Sequence, residues 1–403
     1  MPTPPGASGP GAVGTDRPDL VVVGAGVIGL AVAWRAARAG LTVVTVDPEP
    51  GRGASWAAGG MLAPVAEAVF GEADLTRLAV EAATGWPRFA AELEAASGRP
   101  VHLATSGTLV VAADPSDRDA LDRLHAYHRS LDLPAERLSA RQARQAEPLL
   151  APGTCGGLLL PGDHHVDNRQ VVEALRAALA AAGVVHLAGT AAVVVEGGRV
   201  VGVRLDDGTV IATDAVVVAA GSRSGQVAGL PEDAVPPVRP VRGATLRLAA
   251  RGAPRLGRTV RALVHGRPCY LVPRPDGGLV VGATVEERGF GSEVLLGGLA
   301  ELIDDARRVV PAVDEYALVE VAPGLRPGTP DNGPIVGPTA TVGLHLATGH
   351  HRNGILLAPA TADDVVAGLL GSTPADGAFA PFRPGRFAGS SREPAASTAG
   401  PVR

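Results

Sequence analysis

Residues 19–46 read as one unit: a run of β-branched residues (DLVVV), the turn Gly24-Ala25-Gly26-Val27-Ile28-Gly29, a helical stretch (LAVAWRAARAG) and a second apolar strand (LTVVTV). Gly40 stands where a helix C-terminal cap belongs. Strand, glycine turn, helix and strand make a βαβ unit, which commits the chain to a parallel sheet with a phosphate-approach turn at its edge. In that turn Gly24 serves the tight bend, Gly26 lets backbone approach a pyrophosphate, and Gly29 allows the helix to pack closely on the sheet. The helix start offers free N–H groups and the positive end of its dipole. Asp47 closes the second strand, where a carboxylate would take a ribose diol.

NAD and FAD share this fingerprint, so the choice between them comes from the rest of the chain. PEPGRGASWAAGGMLAP, residues 48–64, is a loop of small residues with an apolar tail, able to lie flat along an extended cofactor. A second strand-and-glycine signal, VVVAAGSRSG, places Gly221 behind a buried strand.

With 403 residues, 46% of them hydrophobic and 19% charged, the chain is long enough for two domains around large cores. Its 36 basic and 41 acidic residues leave a net charge of -5, which gives no footing for a nucleic-acid partner. Cys155 and Cys269 form no C-x-x-C pair; free thiols and a cytoplasmic setting are expected. The most apolar run stops at Arg35, short of the roughly 20 residues that span a bilayer, so no integral membrane association is expected. Residues 1–18 and 383–403 are Pro/Gly-rich and polar and are expected to be disordered tails.

Two motifs near the C-terminus, GLRPGTPDNGPIVGP and GHHRNGILLAPATA, taken in order with the glycine turn and the small-residue loop, resemble the glycine oxidase branch of the D-amino-acid-oxidase-like flavoproteins. The resemblance covers roughly residues 20–370 and implies a mixed α/β (α+β) fold, a Rossmann-type FAD-binding domain interleaved with an antiparallel-sheet substrate domain. Residues 19–85, 152–228 and 326–375 would form the former, and residues 86–151 and 229–325 the latter. It further implies noncovalent FAD, a homo-oligomer, commonly a tetramer, and oxidation of a small amino acid with O2 as electron acceptor.

Carried over residue by residue, the resemblance places FAD against Val27 and Ile28 at the pyrophosphate, Asp47 and Pro48 at the adenosine ribose, Ala54 and Ser55 in the following loop, and Gly59, Gly60 and Met61 along the cofactor. Ala192 would contribute backbone. His350, His351, Arg352, Asn353, Gly354, Ile355 and Leu356 would pass beside the flavin ring, their N–H groups facing the charge that develops on reduction. On the substrate side it implies Arg326 as carboxylate clamp, Tyr270 as a hydrogen-bond donor or cover, and Arg352 as a shaper of the local field. A planar, permanently charged fork suits a carboxylate as lysine does not. Val285 stands where relatives often carry a methionine over the pocket; being smaller and stiffer, it would admit N-substituted or bulkier amines. Relatives usually carry Glu at Asp47 and often Phe at His351.

The pairs His164-His165 and His350-His351 lack the neighbours that would complete a metal site, and no metal is expected. Asp304-Asp305 and Asp363-Asp364 read as helix-surface carboxylates. Two rival readings are a dehydrogenase of the same fold that passes electrons to a quinone or carrier, and a non-catalytic nucleotide-binding subunit.

Overall fold

Leu20–Val23 has all four residues buried, so both faces of this strand must be covered. It lies inside a six-stranded sheet ordered Ile335–Pro338, Leu344–Thr348, Val216–Val218, Leu20–Val23, Val43–Val46, Val185–Leu187. Every neighbouring pair is parallel except the outermost, Ile335–Pro338 with Leu344–Thr348. The computed structural model describes residues 17–372 and 377–387. Strand alternation divides the burial: Leu20 and Val22 pack with the helices Val27–Arg38, Ala73–Ser97, Asn168–Ala181 and Gly354–Leu369. Val21 and Val23 face the other way, toward a three-stranded sheet, Ala191–Glu196, Arg199–Leu205 and Val210–Ala212, that covers the opposite side.

The second sheet has eight strands, ordered Ala317–Gly328, Arg239–Ala249, Leu279–Gly282, Arg267–Pro273, Thr259–Val264, Thr108–Ala112, Gly157–Leu160, Glu136–Leu138. It is antiparallel but for one parallel pair, Thr259–Val264 with Thr108–Ala112. Leu302, Ala306 and Val309 of the helix Leu296–Val309 close one face of it over Leu246, Leu271 and Val281. The chain enters this sheet from the nucleotide side and returns twice, as an interleaved two-domain chain must.

Several sequence-based boundaries move. Residues 86–97 were expected in the substrate domain, yet the helix Ala73–Ser97 runs unbroken through Pro87. Its Trp86, Phe89 and Leu93 pack with Trp34 in the core of the parallel sheet. An apolar helical stripe is buried as one piece, so no domain boundary falls inside it. Conversely, residues 157–160 pair with Thr108–Ala112, and the strand that carries Arg326 stays in the eight-stranded sheet to Gly328. The tail expected from residue 383 does not start there: Arg383 donates to Asp364 at 2.9 Å, and Arg386 ion-pairs with Asp331 at 2.8 Å. The rest of that tail lies outside the described residues, as do residues 1–16. Asp364 and Asp305 are not solvated carboxylates either; the side chain of each is at most 10% exposed and is held by Arg383 or Arg267. Among the described residues no helix is long and apolar enough to cross a membrane.

Candidate active site

Two glycines of the turn meet the steric demands that their spacing predicts. Gly24 has φ +104°, and a Cβ on it would lie 2.4 Å from the Ala219 carbonyl oxygen; one on Gly29 would lie 1.9 Å from the Gly24 carbonyl oxygen. Gly26 differs: its backbone is ordinary, and a Cβ there would meet only Ser55 Oγ, at 3.3 Å. The absence of a side chain therefore keeps space open at the start of the helix Val27–Arg38, which has no side-chain cap. Ser55 Oγ accepts the Val27 N–H at 2.9 Å from across that opening. Asp47 accepts the N–H groups of Ala25 and Glu49, each at 2.7 Å, and is only partly buried, so lone pairs remain for a diol.

Residues 54–60, which begin with the one-turn helix Ala54–Ala57, lead from this opening to the eight-stranded sheet, and side chains from that sheet, from its margin and from the helix Asn168–Ala181 take their carbonyls. Asn168 Nδ2 donates to the Ser55 carbonyl at 2.7 Å and the Trp56 carbonyl at 3.2 Å, Thr245 Oγ1 to the Ala57 carbonyl at 2.9 Å, and Arg274 to the Gly59 carbonyl at 2.8 Å. Because a trans peptide sets C=O and the next N–H on opposite sides, the Gly60 N–H faces away from Arg274. Gly59 backs onto Tyr270, since a Cβ there would lie 2.8 Å from the ring; Gly60, at φ +77°, leaves no room for a Cβ against the Val166 carbonyl.

Tyr270 sits between Gly59 and Gly282, where a Cβ would fall 2.3 Å from its hydroxyl oxygen. Its register partner in the sheet is that same Gly282. Burial raises its phenol above the usual value, so it stays a hydrogen-bond donor at neutral pH. Arg326 projects from the edge strand across Gly243, whose missing Cβ would lie 2.1 Å from Nη1. The guanidinium makes only long hydrogen bonds, 3.3 Å to the Thr284 carbonyl and 3.4 Å to the Arg242 carbonyl. Among the described residues no carboxylate lies within ion-pair distance of it. A partly buried guanidinium with open donors is a site for an anion.

Two residues that sequence reasoning missed complete this wall. Glu67 accepts a short hydrogen bond from Arg261 and lies 3.4 Å from Arg352 Nε. Burial pushes its carboxyl up, but Arg261 and Arg352 outweigh that and hold it below the usual range, so it is ionised. Arg352 is thereby tethered to Glu67 and is not free to bind as Arg326 is. The signal for Arg261 was present: one charge within the otherwise apolar strand Thr259–Val264. The partner, Glu67, follows the apolar run GGMLAPVA with nothing local to pair it.

The second motif forms a tight turn. His350 is buried and bonded through Nε2 to Thr361 at 2.9 Å, while His351, at φ +44°, donates its N–H to the Pro327 carbonyl at 3.0 Å, beside Arg326. Burial lowers these imidazoles to about 3 and about 4, so both are neutral near pH 7. The helix Gly354–Leu369 then starts with Asn353 as a cap that makes no side-chain hydrogen bond, leaving the first N–H groups for another acceptor. The openings at Gly26, along residues 54–60 and at Gly354 suit an extended dinucleotide.

Three expected residues stand differently. Val285 is 65% exposed, at the rim next to Thr284 and not enclosed above the pocket. Gly221 has φ +55°, but a Cβ there would meet nothing within 4 Å, so conformation and not crowding explains it. Ala192 lies opposite Arg204 in the outer three-stranded sheet.

The model of the FAD-dependent oxidoreductase (DAO) family matches residues 19–367. Glycine oxidase of Pseudomonas putida is 34% identical over 365 residues, 88% of this chain and 95% of that protein. The bifunctional protein ThiO/ThiG of Trichormus variabilis is 32% identical over 375 residues, 92% of this chain, which spans only 55% of that longer protein. Among solved structures, glycine oxidase from Geobacillus kaustophilus superposes with a TM-score of 0.82 at 33% identity, covering 92% of this chain and 99% of the other.

Proposed function

The chain belongs to the FAD-dependent oxidoreductase family, and from that premise we propose that it oxidises glycine, with sarcosine and D-alanine as further substrates, at the carbon–nitrogen bond. From glycine the products are the imine, which water hydrolyses to glyoxylate and ammonia, and hydrogen peroxide. The observation that carries this reading is Arg326, a guanidinium held over Gly243 with open donors and facing the Tyr270 side of the sheet.

The chemistry supplied by bound FAD is acceptance of a hydride from the α-carbon of the neutral amine, the electron pair passing on to O2. The residues of the chain do the rest. Arg326 binds the carboxylate and Tyr270 donates to it, which fixes where the α-carbon sits relative to the loop at Gly59. Glu67, between Arg261 and Arg352, keeps the local field from becoming wholly cationic, while neutral His350 and His351 add no charge at pH 7. Val285 leaves the rim wide enough for an N-methyl group. The residues expected to hold FAD are those at Gly24, Gly26, Val27, Ile28, Gly29, Asp47, Pro48, Ala54, Ser55, Gly59, Gly60, Met61, Ala192, Gly221 and 350–356. The identities to glycine oxidases and to ThiO/ThiG support glycine as substrate and thiamine thiazole synthesis as the outlet for the imine. A cytoplasmic homotetramer completes the reading; its two free cysteines suit a reducing compartment.

Oxygen uptake with coupled peroxide detection tests it, comparing glycine, sarcosine, D-alanine, L-alanine and L-proline on the purified yellow protein. Turnover led by glycine with one peroxide per oxygen is expected. Flavin bleaching without oxygen uptake would instead make the protein a dehydrogenase.

A further inference from the structure

Arg242 precedes the glycine beneath Arg326 and is only 3% exposed. A guanidinium that buried needs acceptors, and it has two carboxylates: Glu286, whose side chain is 16% exposed, and Glu293, whose side chain is 77% exposed. Its backbone is also paired with Glu286, donating N–H to the Glu286 carbonyl at 2.8 Å and accepting the Glu286 N–H at 2.9 Å. Both ends of residues 286–293 are thus tied to one side chain. Between them, Glu287 meets Arg239 at 3.4 Å, and Phe290 lies under the Arg223 guanidinium, 5.0 Å from the ring centre, which joins the segment to the parallel-sheet domain.

This segment delivers the Thr284 carbonyl, which receives Arg326 Nη1 at 3.3 Å, while the Arg242 carbonyl receives the same nitrogen at 3.4 Å. Thr284 is itself paired to the strand, its Oγ1 accepting the Ala244 N–H at 2.9 Å. Alternation along the strand puts the Gly243 position on the face where Arg326 lies and the Arg242 side chain on the other. An ion-pair cluster on one face therefore sets the backbone that orients the guanidinium on the opposite face.

We propose that Arg242 is a positioning residue for substrate recognition: its ion pairs with Glu286 and Glu293 fasten residues 284–293 so that Arg326 is aimed at the substrate carboxylate. The inference rests on the reading of Arg326 as the carboxylate clamp. Acetate, titrated into the holoenzyme and followed by the flavin spectrum, probes that clamp without turnover. In Arg242→Met the acetate dissociation constant and the glycine KM should rise by the same factor, roughly tenfold, with kcat within about twofold of wild type. Arg242→Lys should recover part of the loss; Glu286→Gln should show a smaller loss, and Glu293→Gln, at an exposed carboxylate, the smallest. Wild-type acetate affinity in Arg242→Met, or a loss confined to kcat, would overturn the proposal. If that variant does not fold, unchanged acetate affinity in Glu286→Gln overturns it equally. A wild type indifferent to acetate removes the clamp and this inference together, whereas a wild type that binds acetate but oxidises no amino acid removes only the oxidase reading.

Discussion

Three arginines gathered beneath residues 54–60, one from the helix Asn168–Ala181 and two from the eight-stranded sheet and its margin, contrast with the single Arg326 on the edge strand of that sheet. Under the Ala54–Gly60 loop, Arg169 forms a bidentate pair with Glu320, at 2.8 and 2.9 Å, and stacks 3.8 Å from the Trp56 ring centre. Arg247 and Arg274 both donate to Asn168 Oδ1 at 3.1 Å, and Arg274 also to the loop. At the chamber, Arg326 has two long bonds to carbonyls and no carboxylate. The three have protein acceptors and fix residues 54–60; Arg326 keeps donors open, which is what separates a binding arginine from a structural one. Burial alone would rank them wrongly, because Arg274 is 8% exposed and Arg326 is more open.

The sharpest way to break this contrast is to remove Arg326 and, separately, Asn168, the side chain on which Arg247 and Arg274 converge. Arg326→Ala should raise the glycine KM by roughly a hundredfold, as expected when a charge-assisted bidentate contact is lost, with FAD still bound. Steady-state kinetics on the holo fraction decide it; loss of FAD with normal KM in the remainder would put Arg326 in the structural group. Asn168→Ala should do the reverse, weakening FAD about tenfold by freeing the Ser55 and Trp56 carbonyls and leaving the glycine KM of the holo form unchanged. Flavin fluorescence on dilution measures that.

Smaller effects test the surroundings. Val285→Met should lower kcat/KM for sarcosine a few-fold relative to glycine; an unchanged ratio would remove Val285 from the rim. Asp163 is buried behind the Glu67 wall, and burial raises its carboxyl from 3.8 to about 7 despite the N–H groups of Ala66 and Val65. A raised folded value means that the native state carries no cost from this group below about pH 4 and loses stability as pH climbs toward 7. Asp163→Asn should flatten that loss, so the fall in Tm between pH 5 and 7 should shrink by roughly 2–4 °C. An identical slope in thermal scans would contradict the assignment.

The sequence carried the nucleotide half well because its signals are local: glycines that need φ above zero or close approach fall within a few residues of the strand and helix they serve. Arg326 and Tyr270 came from motif resemblance, and the structure brings them to one sheet. Glu67 and Arg261 escaped because their pairing spans 194 residues, and strand periodicity reports a face and not the partner across it. Gly243 escaped for a related reason: a glycine beneath a side chain from the neighbouring strand looks in sequence like any strand glycine. The 383–387 segment misled by composition, since its Pro and Gly hid two arginines with carboxylate partners.

The most direct test is an anaerobic titration of the yellow holoenzyme with glycine, wild type beside Arg326→Ala, followed by admission of air. The account predicts that glycine bleaches the wild-type flavin, that air restores it with one hydrogen peroxide per glycine, and that the variant needs far more glycine for the same bleaching. A wild-type flavin that glycine leaves oxidised, or a variant with the wild-type glycine dependence, would contradict it.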